Sequence, residues 1–221
     1  MVGNEEAYEG YRYQKNQTMQ DIQLKQITNE ILFLKEMKNE EGIVKLRGVY
    51  HESIEKVHIV LDFAEAGNLG DYLRANRPLP EEAQRSIMRQ LLQTLKIIHA
   101  KDIVHRDIKP CNILVLSTPT QPTSALNQSD CRQEYSDTVK VCYADFGLAY
   151  RYSAEDQVQL NQLCGTPGYI DPELLRGGAC SSASDIFSLG SVFFNIITGR
   201  LLYPGKSASE VLAKSKALDP T

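Results

Sequence analysis

From Met19 to Lys38 the apolar side chains Ile27, Ile31 and Leu34 return at i, i+4 and i+7 with polar residues between them. That stripe predicts an amphipathic helix lying on a larger body. Two runs rich in β-formers follow, Ile43 to Tyr50 and Val57 to Phe63, separated by the polar stretch His51 to Lys56, and an antiparallel pair is expected. The second run gives way at Asp62-Phe63-Ala64-Glu65-Ala66-Gly67 to small residues that favour a bend, and Asn68 to Ala75 reads as a short helix. Pro80 sits where a helix can start, with Glu81 and Glu82 in its first turn and Ala83, Ile87, Leu91, Leu95 and Ile98 along one face.

Further on, Ile113 to Leu116 and Val139 to Ala144 predict two strands around Ser117 to Thr138, which is rich in Ser, Thr, Gln, Pro and Asn. A segment with so little to bury cannot offset its ordering entropy, so a disordered surface insertion is expected there. Ser184 and Asp185 are predicted to cap a helix, Ile186 to Ile197, apolar nearly all round and therefore buried, with Gly199 ending it. Ser207 to Lys216 predicts a last short helix.

Composition narrows the class. The 221 residues suit one domain, and 24 basic against 28 acidic residues give a net charge of −4, which argues against nucleic acid as the main partner. Five scattered cysteines without a C-x-x-C pair suggest neither a disulfide framework nor a zinc site. That pattern fits a reducing compartment, so an intracellular, cytoplasmic setting is expected. The N-terminus is acidic and without an apolar leader, and the most apolar run, Ser191 to Thr198, is too short for a membrane span.

The chemistry concentrates between Ile103 and Leu114, in Ile-Val-His-Arg-Asp-Ile-Lys-Pro-Cys-Asn-Ile-Leu. An acid (Asp107), a base (Lys109) and an amide (Asn112) fall within six residues, flanked by apolar runs that can be buried. Singly, Asp107 reads as a turn acid, Asn112 as a loop cap and Lys109 as a surface charge. Together, with Asp145-Phe146-Gly147 downstream, they resemble the H-R-D-x-x-x-x-N catalytic loop and D-F-G motif of the protein kinase family.

The resemblance, which covers roughly residues 24 to 216, implies an α+β, two-lobed fold. A small antiparallel sheet lobe with one helix would occupy residues 1–61, a hinge 62–67, and a larger, mainly helical lobe 68–221. It implies a serine/threonine protein kinase using ATP and Mg2+ on a protein substrate, Lys109-Pro110 being the serine/threonine form of the loop. Asp107 would accept the substrate proton, Lys109 would reach the transferring phosphate, and Asn112 and Asp145 would hold metal. Leu61 would be the gatekeeper and Ala64 would meet adenine, with Asp62, Asn68 and Leu114 around the nucleotide. His105 is expected to be a packed core residue beside Leu34, Leu46 and Phe146.

Residues 145–173 would form the activation segment, ending Gly165-Thr166-Pro167-Gly168-Tyr169-Ile170-Asp171-Pro172-Glu173, with Asp171 where the family ending A-P-E has alanine. Thr166 would bond the catalytic loop, and Asp185 the loop's backbone. Gln162 stands where many kinases carry a phosphorylated residue, so activation independent of phosphate there is expected; Tyr150, Tyr152 and Ser153 are further candidate sites. Glu30 would pair with a strand lysine, for which Lys15 is the best-placed candidate, although no G-x-G-x-x-G precedes it and no V-A-I-K surrounds it. An incomplete piece of a longer kinase is therefore expected, with no arginine partner for Glu173. Two other readings remain open, a catalytically weak binding module and a small-molecule kinase.

Overall fold

The computed structural model describes residues 19–53, 56–118, 139–152 and 163–218. Helix α1 (Met19–Glu36) follows its apolar stripe: Leu34 and, just beyond the helix, Met37 are buried, while Ile27 and Ile31 are partly covered. Strands β1 (Leu46–Ser53) and β2 (Lys56–Leu61) pair antiparallel, with Val49 opposite Ile59 and His51 opposite Val57. The expected pairing holds, but the first strand is shifted along the chain. Ile43 and Val44 lie outside it because their backbone is engaged elsewhere: Val44 N–H donates to the Tyr143 carbonyl (2.9 Å) and Tyr143 N–H to that of Gly42 (2.8 Å). This crossing stitches the small lobe to the large one.

In the large lobe Asn68 caps α2 (Leu69–Asn76) by accepting from the Asp71 N–H. Helix α3 (Glu81–His99) buries Ile87, Leu91, Leu95 and Ile98, the face its spacing predicted. A short strand β3 (Ile103–Val104) pairs with β6 (Tyr150–Arg151), and β4 (Ile113–Ser117) with β5 (Lys140–Tyr143), so the loop 105–112 is framed by two small antiparallel ladders. One core joins α1, α2, α3, β4 and β5 around Tyr143 and Phe146. The Gln90 side chain covers the outer edge of β5. Its amide donates to the Val139 carbonyl (2.8 Å) and accepts from the Val141 N–H (3.1 Å), as a neighbouring strand would. Residues 119–138, which hold most of the predicted insertion, lie outside the described residues.

The helix expected from Ile186 starts a turn earlier. Following α4 (Pro172–Leu175), α5 (Ser182–Thr198) is capped by Ser181, which accepts from the Ala183 N–H, while Ser184 accepts from the Ser181 N–H (3.2 Å) to close a capping box. Ser184 and Asp185 are thus first-turn residues rather than caps, and Asp185 gains freedom to point elsewhere. Nor is α5 buried all round: Ile186 and Ile197 are exposed. Gly199 ends the helix in the left-handed region (φ 77°), and Ser207 caps α6 (Ala208–Ala217).

Gly42 takes a positive φ of 76° where the chain turns against α3, and a Cβ there would lie 1.9 Å from Thr94 Oγ1. Gly42→Ala is expected to lower unfolding free energy by about 2–4 kcal/mol through the clash and the left-handed backbone. Denaturant unfolding would measure this, and adding Thr94→Ala should recover part of the loss by removing the clash alone.

Candidate active site

The site is built on a loop whose backbone is held from beneath. Asp185, 1% exposed, accepts from the N–H groups of His105 (2.8 Å) and Arg106 (2.9 Å) and from His99 Nε2 (2.9 Å). This grip fixes Arg106 at φ 66°, a strained position for a side chain with a Cβ. His105 is fully buried against Phe146, ring centroids 4.8 Å apart, and its Nε2 faces the Ala144 carbonyl at 3.1 Å. The Asp107 N–H points at Nδ1 (3.4 Å), so Nε2 is the ring donor toward Ala144, and His105 is a core residue as expected.

On this base the polar groups converge. The Asp107 carboxylate accepts from Thr166 Oγ1 (2.7 Å, to Oδ1), Lys109 Nζ (2.7 Å, to Oδ2) and Asn112 Nδ2 (3.0 Å, to Oδ2). Lys109 also donates to Thr166 Oγ1 (2.8 Å), closing a ring of acid, base and hydroxyl. Asn112 Nδ2 reaches the Asp107 carbonyl as well (3.0 Å), so its nitrogen is taken by the loop and its oxygen is the atom left for a cation. Ala144 N–H donates to the Asn112 carbonyl (2.9 Å), bringing the next residue, Asp145, to the same place at φ 62°. An amide oxygen and a carboxylate are the hard donors a magnesium ion prefers, so the residues fit that metal.

Glu30 and Asp145 line a cavity of about 340 Å³ with Gln23, Gln26, Ile27, Gly147 and Leu148. Burial pushes the Glu30 carboxyl from its ordinary value of 4.5 up to about 7, and the Asp145 charge adds to the shift. Lys15 lies outside the described residues, as do Gln162 and Ser153. Two contacts absent from the sequence reading hold α1 on the stretch 147–151. Asn29 Nδ2 lies 3.4 Å from the carbonyls of Gly147 and Ala149, and Arg151 grips both oxygens of Glu36 (2.5 and 2.6 Å). Arg106 turns toward the same segment, donating to the Leu148 carbonyl (2.6 Å) and lying over the Tyr150 ring, 5.3 Å from its centroid.

After the small sheet, Leu61 ends β2 and is partly buried, and Asp62 N–H donates to the Lys45 carbonyl (3.0 Å) while its carboxylate meets Arg47. The Ala64 carbonyl accepts from the Gly67 N–H (3.0 Å), and Leu114 bridges Asn68, whose side chain is engaged in capping α2. At the other end, Glu173 is exposed, and it is Arg176 that ties α4 to α6 by donating to the Lys216 carbonyl (2.9 and 2.6 Å). No sequence spacing marks the Asn68–Leu114 and Arg176–Lys216 pairings, because they join residues far apart in the chain.

The family model for the protein kinase domain matches residues 10–218. The chain is 33% identical over 195 residues to human serine/threonine-protein kinase ULK1, covering 87% of this chain and 17% of that protein. It is 34% identical over 157 residues to PrkC of Bacillus subtilis (71% and 21%), and 33% over 199 residues to PKZ1 of Phytophthora infestans (88% and 48%). The chain belongs to the protein kinase family, on the serine/threonine side. It spans less than half the length of each of these curated relatives.

The Glu30 shift gives stability a pH dependence. The folded acid keeps its proton up to about 7 whereas the unfolded one loses it near 4.5, so unfolding releases a proton between those values. The contribution is complete below pH 4.5 and disappears as pH rises through about 7. Glu30→Gln should flatten the fall in stability across that window, measured by denaturant unfolding at pH 5, 6, 7 and 8; an unchanged slope would remove Glu30 as its source.

Proposed function

We propose that this chain carries out ATP-dependent phosphorylation of serine or threonine hydroxyls on protein substrates. The observation that carries the reading is the Asp107 carboxylate held at once by Thr166, Lys109 and Asn112. Phosphoryl transfer asks for a positioned hydroxyl and neutralised charge more than for covalent help. Asp107 orients the substrate hydroxyl and takes its proton, while Lys109 offers a compact positive charge to the phosphoryl oxygens. Thr166, bonded to both, brings the start of the peptide-binding stretch against the acid.

Asn112 and Asp145 would hold Mg2+, which when bound supplies charge neutralisation at the ATP phosphates. Leu61, Asp62, Ala64, Asn68 and Leu114 would border the nucleotide, and Glu30 would pair with Lys15. In this reading residues 1–61 form the small lobe, 62–67 the hinge and 68–221 the large lobe, with 145–173 as activation segment. The net charge of −4 favours protein over nucleic acid as partner. Scattered cysteines, four of them free among the described residues, favour a reducing, cytoplasmic setting. Among the described residues no helix is long and apolar enough to cross a membrane.

Asp107→Asn is expected to lower turnover by roughly 10³-fold, about 4 kcal/mol of barrier, with ATP binding kept. The assay is transfer of labelled γ-phosphate to a serine/threonine peptide library. A variant as fast as the parent would remove Asp107 from the chemistry and favour a non-catalytic binding role.

A further inference from the structure

The stretch 165–173 is fastened at two ends. At its start, Gly165 packs so close to the loop that a Cβ would lie 2.9 Å from the Arg106 carbonyl, and Thr166 bonds Asp107 and Lys109. At its end the fastening is to α5, through the side chains of Asp171, Ser184 and Ser188. Asp171, 8% exposed, accepts from the Glu173 N–H through Oδ1 (2.9 Å) and from Ser184 Oγ through Oδ2 (2.9 Å). One turn along α5, Ser188 Oγ shares its proton between the Tyr169 carbonyl (2.7 Å) and that of Ser184 (3.0 Å). Two buried serine hydroxyls on one face of α5 thus hold the segment at Tyr169 and Asp171. Among the described residues no cation pairs with Asp171, so hydrogen bonds alone hold its carboxylate.

We propose that Asp171 is a positioning residue for the protein substrate: by joining α4 to Ser184 it sets the stretch Thr166 to Tyr169 at a fixed height over Asp107. The neighbouring residue of α5, Asp185, holds the catalytic loop, so both walls of the peptide site are referred to one helix turn. An alanine at 171 would leave Ser184 Oγ without its acceptor and the Glu173 N–H uncapped. This deepens the kinase reading and rests on it, so the test includes a readout that does not need turnover.

The experiment compares the parent chain with Asp171→Ala, Asp171→Asn and Ser184→Ala. Initial rates are taken with a peptide selected from a serine-centred library varied at saturating ATP, then with ATP varied at saturating peptide. Hydrogen exchange is followed in residues 103–116 and 163–176. Asp171→Ala should raise the peptide KM about tenfold, the scale of one lost buried hydrogen bond, with the ATP KM within twofold. Exchange should speed up in 163–176 and not in 103–116. Asp171→Asn, which keeps the acceptor for Glu173, should lie between, and Ser184→Ala should move the same parameters in the same direction. Equal rises in both KM values, or an unchanged peptide KM with unchanged exchange, would overturn the proposal. If the parent transfers no phosphate, the kinase reading fails on that result alone. The exchange pattern then still tells whether Asp171 fixes the 163–176 stretch, and faster exchange in both stretches together, a general loosening, would refute that.

Discussion

Removing a carboxylate from water costs several kcal/mol unless hydrogen bonds replace the lost solvation. Asp185 meets that condition with His99 and two backbone N–H groups, and the loop that carries Asp107 is shaped by the exchange. Because the acceptor is buried on the first turn of α5, His105 and Arg106 cannot relax, and the left-handed backbone at Arg106 is held open. Everything downstream follows from that fixed point: His105 packs under Phe146, Asp107 faces Thr166 and Lys109, and Arg106 is directed to Leu148 and Tyr150.

The arrangement brings several charges together, and each is answered differently. Asp107 is surrounded by donors. Glu30, across the cavity from Asp145, responds to burial and to that like charge by holding its proton. The same helix α1 keeps a salt bridge at its far end, Glu36 with Arg151, both partly exposed, where an ion pair adds little stability but fixes direction. Helix α1 is therefore attached to the stretch 147–151 through Asn29 and Glu36 while its Glu30 face stays open to the cavity.

Much of this was legible in the sequence because it rests on local spacing. The order Asp107, Lys109, Asn112, then Asp145-Phe146-Gly147 survives any uncertainty in strand boundaries, and the stripe Ile87, Leu91, Leu95, Ile98 has only one helical reading. The start of α5 was misjudged because Ser184 and Asp185 are both good caps; the deciding signal was the Ser181-x-x-Ser184 pair, a capping box built with a second serine in place of the usual acid or amide. The first β-strand was misplaced since Ile43 and Val44 have strand-like side chains yet bond to Tyr143, a hundred residues away in the chain. Such long-range partners, like Arg151 for Glu36 or Ser184 for Asp171, leave no periodicity to read.

Gln90 has a consequence for how this domain tolerates variation in length. By bonding Val139 and Val141, it secures the start of β5 from helix α3 rather than from the connection with β4. The two strands are registered independently of what links them. By loop-closure entropy, each doubling of a connection's length adds only about 0.6 kcal/mol, a penalty growing with the logarithm of its size. The β4–β5 junction is therefore a point where extra sequence can be acquired without disturbing the loop around Asp107 a few residues upstream.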